Sequence, residues 1–118
     1  PLQLVVLPPG AALDLGDGVS LASRTVPHTA ESVAYSVAGG GRRIVYTGDT
    51  APDASLGAWA AGCDVLLAEC SLPAALAVPS HLTPEQVGAL AAAARPRLLA
   101  LTHFYPPVEQ VDVAALVG

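Results

Sequence analysis

The sequence predicts an α/β layered domain with a mixed sheet, and three observations carry that prediction. A glycine-centred hairpin occupies Ser32 to Thr47, two apolar runs ("CDVLLAEC" and "RLLALTHF") have the length of buried strands, and a strongly capped helix lies between those runs. The order hairpin, helix, strand, helix, strand gives the mixed sheet.

Taken in order, "LQLVVL" (Leu2 to Leu7) predicts a short strand stopped by Pro8, Pro9 and Gly10. Leu13 to Leu15 and Val19 to Val26 read as strands around the turn "GDG", Gly16 to Gly18. Ser32 to Val37 alternates, Gly39 to Gly41 turns, and Arg43 to Thr47 returns, delivering Asp49 to the sheet edge. A helix follows from Pro52 or Asp53 to Ala61, then the apolar run as a strand. Thr83 as N-cap, Pro84 in the first helical position and Gln86 in the third form a capping-box pattern, and Pro96 marks that helix's end. The last strand finishes at Thr102 and His103, and Val108 to Val117 predicts a final helix.

Composition bounds the function. The chain has 118 residues, 53% of them hydrophobic, enough for one domain with a real core. Ten acidic residues against five arginines, with no block of like charge, argue against electrostatic docking on nucleic acid by this segment alone. Apolar runs stop well short of a membrane span, and "PLQLVVLPPG" shows no basic leader or signal cleavage site. Cys63 and Cys70 have neither zinc-ribbon nor redox-dithiol spacing and read as buried thiols in a reducing cytoplasm.

The stretch "VYTGDT", Val45 to Thr50, places a carboxylate directly behind a strand and a glycine. Asp49, Glu69 and His103 each fall at or near the carboxyl end of a predicted strand, where α/β sheets gather functional groups, and His81 lies just before a helix. Carboxylate and imidazole are the ligands of a hydrolytic zinc ion, although so few of them cannot fill two coordination shells. Each residue also has a structural reading: Asp49 as turn residue or helix cap, Glu69 as a strand terminus, His81 as a neighbour of a helix start, His103 as a hydrogen-bonded strand end. His28, in "VPHTAES", reads as structural.

Four segments in order, "SVAYSVAGGGRRIVYTGDT", "AGCDVLLAECSLP", "SHLTPEQVGALAAAA" and "LLALTHFYPP", resemble the carboxyl-terminal half of the metallo-β-lactamase-fold hydrolases, in a branch similar to ribonuclease Z and phosphodiesterases. The resemblance covers Val26 to Pro107. It implies half of an αββα sandwich, with residues 1–118 as one partial domain. It implies that Asp49 bridges two zinc ions, that His103 binds one of them, and that His81, oriented by Glu69, gives a proton to the leaving oxygen. It implies no ligand role for His28.

The sequence departs from ribonuclease Z in Ala68, Glu69, Cys70, Ser71 for His-Glu-Ala-Thr, and in "HLT" for "HST". The family's His-X-His-X-Asp-His loop has no counterpart here. The expectation is therefore a cytoplasmic hydrolase of phosphodiesters in RNA or nucleotides. It would hold two zinc ions as a full-length parent, and none or one, with little activity, as this chain alone. Its expected partners are the missing amino-terminal half of the fold and a second copy of the chain, with no membrane. A lactone or thioester hydrolase and a non-catalytic binding or structural half are the alternatives.

Overall fold

The computed structural model describes residues 1–118. Six strands lie side by side in sequence order: β1 (Ala12–Gly16), β2 (Val19–Thr25), β3 (Val33–Gly39), β4 (Arg42–Tyr46), β5 (Val65–Glu69) and β6 (Leu98–Thr102). The first four pair antiparallel, whereas β5 and β6 join parallel to β4 and to each other. The mixed sheet expected from the sequence is therefore present.

Turn chemistry explains the antiparallel half. Asp17 with Gly18, and Gly40 with Gly41, all have positive φ, and each pair closes a two-residue hairpin loop whose twist matches the flanking strands. The parallel half needs crossovers, supplied by α1 (Ala54–Trp59) between β4 and β5 and α2 (Pro84–Ala94) between β5 and β6. Asp53 caps α1 by accepting from the Ser55 N–H at 2.9 Å. Thr83 and Gln86 form the reciprocal capping box of α2, with Pro84 in the first turn. Arg95, left-handed at φ 50°, ends α2 one residue before Pro96.

Both helices cover one face of the sheet. Ala34, Val45, Leu66 and Ala68 from the strands meet Leu56, Val87 and Leu90 from the helices, and burial of a leucine such as Leu66 contributes about 1.5–3 kcal/mol. The helices pack tightly, because a Cβ on Gly57 would lie 2.7 Å from the Ala93 Cβ. Cys63 and Cys70 are buried free thiols in this core. No helix is long and apolar enough to cross a membrane.

The other face is open and apolar. Leu21, Val37, Ile44, Val65 and Leu98 stand in one straight row across five strands. Val37, Ile44 and Leu98 are 38%, 48% and 58% exposed, while the smaller Ala34 and Ser36 of β3 face the helices.

Two expectations fail. Leu2 to Leu7 forms no strand: backbone pairing with β2 starts only at Gly10, and Leu2, Leu4 and Val6 are exposed. An apolar run without a neighbouring strand leaves the ladder groups unpaired, so composition alone does not make a strand. The expected helix from Val108 to Val117 is instead a 3₁₀ turn (Pro106–Gln110) and a separate short α3 (Val113–Val117). Asp112 accepts from the Ala115 N–H at 3.1 Å and starts a new helix there, because a capping carboxylate competes with helix continuation.

Candidate functional site

The site forms where the antiparallel half meets the parallel half, at the carboxyl ends of β4, β5 and β6. Gly48 makes the first bend. It has φ +60°, and a Cβ there would lie 2.9 Å from the Val33 carbonyl oxygen, so only glycine lets β4 turn this close to β3. Asp49 then projects from a loop held on two sides, by Ala51 N–H donating to the Pro27 carbonyl at 2.7 Å and by Thr50 N–H donating to Glu69 Oε1 at 2.8 Å. The first of these bonds ties Asp49 to the segment that carries His28.

Glu69, fully buried at the end of β5, is saturated. Its Oε1 accepts from Thr50 N–H and from His81 Nδ1–H, each at 2.8 Å. Its Oε2 accepts from the Ser71 hydroxyl at 2.6 Å and the Leu82 N–H at 3.1 Å. Four donors fill the lone pairs a carboxylate offers, so Glu69 holds its neighbours rather than facing solute. Asp49 is the opposite case, with its side chain 36% exposed against 1% for Glu69.

The histidine tautomers follow from what each Nδ1 touches. His28 Nδ1 lies 2.8 Å from the Ser80 carbonyl oxygen, which can only accept, so this nitrogen carries the proton. His81 Nδ1–H donates to Glu69. Ser71 Oγ, having given its proton to Glu69, accepts from His103 Nδ1–H at 2.8 Å. In the neutral form each of the three rings therefore carries its lone pair on Nε2. His28 Nε2 and His103 Nε2 lie 3.9 and 3.6 Å from Asp49 Oδ2, and ligand atoms of His28, Asp49 and His81 lie within 4.8 Å of one another.

Those separations exceed a hydrogen bond and are of the order of the ~3.4 Å between neighbouring ligands of an ion with bonds of about 2 Å. The open carboxylate of Asp49, with His28 and His103 Nε2 at 3.9 and 3.6 Å and the His81 ring close by, offers the ligand types that suit a divalent transition metal. Glu69, His81 and His103 also approach one another closely, but the carboxylate of that group has no free lone pair for an ion.

The four residues singled out in the sequence thus converge, and His28 converges with them. The sequence reading set His28 aside; the structure places it beside Asp49 and its ring 4.8 Å from that of His81, between centroids. Ser71 was missed as well. A small hydroxyl two residues after a buried strand glutamate is a weak signal, although alternation along an extended chain puts positions 69 and 71 on one side. His103 adds backbone strain, with φ 61° in a non-glycine residue directly after β6. An apolar cleft of about 290 Å³ between α1 and α2 lies beside this cluster and includes none of its carboxylates or imidazoles.

Comparison with known proteins agrees with this architecture. A family model described as the beta-lactamase superfamily domain matches residues 1–104. The metallo-beta-lactamase fold protein YhfI from Bacillus subtilis superposes with a TM-score of 0.85 at 21% identity, covering 96% of this chain and 47% of its own. Zn(2+)-bound PqqB from Methylobacterium extorquens superposes at 0.70 and 21% identity, covering 98% of this chain and 46% of its own. Human tRNase Z, short form, superposes at 0.67 and 26% identity, covering 78% and 38%. The chain therefore spans about half the length of these structures, or less. A search of curated proteins gives no significant match.

Proposed function

The chain belongs to the beta-lactamase superfamily, and on that premise we propose that it supplies one half of the active site of a metal-dependent hydrolase acting on phosphodiesters. The observation that carries this reading is the Glu69–His81 pair: a sealed carboxylate 2.8 Å from Nδ1 of an imidazole that lies close to Asp49 and His28. A histidine braced in this way can carry a proton on Nε2 while Glu69 stabilises the Nδ1–H.

In the proposed reaction, water adds to phosphorus as the ester P–O bond breaks. The departing alkoxide takes its proton from Nε2 of protonated His81, and the proton released by the attacking water passes to bulk solvent, from which His81 is reprotonated. Asp49, His28 and His103 would hold the metal, for which zinc suits a mixed carboxylate and imidazole set. When bound, the metal supplies Lewis-acid polarisation of the phosphoryl group and acidifies water. Asp49, the most open of these groups, is the residue that would be shared if a second ion were bound.

We further read the chain as the carboxyl-terminal layer of a two-layer sandwich. The support is the open sheet face, where Tyr35, Val37, Ile44 and Tyr46 are larger and more exposed than the residues under the helices. A second sheet would cover that row and bring further ligands.

The test uses the full-length protein that contains this chain, assayed on bis(p-nitrophenyl) phosphate, an acyl thioester and a lactone. Phosphodiester turnover is expected, falling about 10²–10⁴-fold in His81→Ala with metal content unchanged. Asp49→Ala is expected to lose tightly held metal. Turnover confined to the thioester or lactone would replace the substrate class, and no turnover with no metal in the native protein would leave a binding domain.

A further inference from the structure

We infer that Ser71 is the positioning residue that fixes the tautomer of His103 and links it through Glu69 to His81. The inference rests on the preceding reading only in taking the two histidines as functional; the hydrogen-bond chain stands by itself.

Ser71 is fully buried, and each of its polar groups has a different partner. Its hydroxyl donates to Glu69 Oε2 at 2.6 Å and accepts from His103 Nδ1–H at 2.8 Å, with His81 Nδ1 3.3 Å away. Its N–H donates to the Leu82 carbonyl at 3.0 Å, next to His81. Its carbonyl accepts from the Tyr105 N–H at 3.1 Å, two residues past His103. One residue thus holds both histidine-bearing loops by its backbone and both rings by its side chain.

The direction of the chain is forced. Glu69 as a carboxylate can only accept, from Thr50 N–H, Leu82 N–H and the Ser71 hydroxyl alike, and the 2.6 Å contact to Ser71 is a charge-assisted O–H···O bond. With its single proton committed, the hydroxyl can only accept from His103. His103 Nδ1 therefore bears hydrogen and Nε2 stays free toward Asp49. Without the hydroxyl nothing at Nδ1 selects this tautomer, whereas His81 keeps its own bond to Glu69.

The inference predicts that Ser71→Ala changes one ring and spares the other. Full-length protein carrying ¹⁵N-labelled histidine, freed of metal by a chelator, would be compared with Ser71→Ala and Ser71→Thr by imidazole ¹⁵N spectra at one fixed pH. The expected result is a mixed tautomer for His103 and an unchanged Nδ1–H form for His81 in Ser71→Ala, with the native pattern restored in Ser71→Thr. Zinc affinity, read by competition with a chromogenic chelator, should fall about 10–100-fold in Ser71→Ala. Should Ser71→Ala fail to fold, Ser71→Cys, with a weak acceptor of similar volume, gives the same reading. A native His103 tautomer in the alanine variant, or in the cysteine variant taken in its place, overturns the inference. A native protein that binds no zinc but shows the expected tautomer shift would instead overturn the hydrolase reading and leave this one standing.

Discussion

Gly48 meets Val33 with no room to spare: a Cβ on Gly48 would stand 2.9 Å from the Val33 carbonyl oxygen, and the φ of +60° is itself one that side chains resist. The aspartate that follows is aimed by this contact. Gly48→Ala should cost about 1–3 kcal/mol through strain alone, and β4 must withdraw from β3 to relieve it. Urea unfolding would give the stability change, and metal content measured alongside would show whether Asp49 has moved. A variant as stable as the native protein would show that the bend tolerates a side chain.

Glu69 should resist even its isosteric replacement. In Glu69→Gln the new amide must place its NH₂ against a backbone donor, Leu82 N–H in one orientation and Thr50 N–H in the other. Either choice strands a buried N–H, at about 1–3 kcal/mol. Glu69→Ala strands all four donors and should be worse. Denaturation midpoints at constant slope would rank native above glutamine above alanine. The opposite ranking would mean that the carboxylate is not the hub of this network.

His28 provides a test of geometry against sequence. Since its Nε2 faces Asp49 and its Nδ1 is pinned to the Ser80 carbonyl, His28→Ala in the full-length protein should lower zinc affinity by at least the roughly 10–100-fold typical of losing a mere supporting partner. Chelator competition reads this directly. His81→Ala should leave the affinity within a few fold. Equal losses in both variants would place His81 among the ligands rather than in proton transfer.

Cys70 carries a pH signature. Burial pushes its thiol up to about 11, and the carboxylates of Glu69 and Glu85 add to this. The unfolded chain ionises this thiol near the ordinary value of 9.0, while the folded chain keeps it protonated up to about 11. The contribution to stability is therefore complete below pH 9 and is lost between pH 9 and 11. Thermal midpoints should fall less steeply over that window in Cys70→Ala than in the native protein. Iodoacetamide, which needs thiolate, should leave native Cys70 unmodified at pH 7.

Local rules made most of this fold legible. The paired glycine turns, the capping box at Thr83 and the two apolar runs are decided by neighbours within a few residues, and each element they predict is present. What escaped was decided at a distance. Leu2 to Leu7 is an apolar run of strand length, but a strand needs a partner, and partnership is not written in the segment. Asp112 interrupts an apolar stretch as a cap, which only its Ala115 contact reveals. In the site, carboxylates and histidines stood out by type. Ser71 and His28 matter by position, through contacts 32 and 52 residues away along the chain, to His103 and Ser80.

The seam between antiparallel and parallel strands also sets an order of events. β1 to β4 form a meander of nearest-neighbour contacts, the kind that closes small loops and forms quickly, whereas β5 and β6 must wait for helical crossovers. His28 and Asp49 belong to the early half; Glu69, Ser71, His81 and His103 belong to the late one. On the proposed metal-binding reading, ligand capture at this cluster would report the last stage of folding. In stopped-flow refolding, a metal-sensitive signal should lag behind the far-ultraviolet signal of the meander.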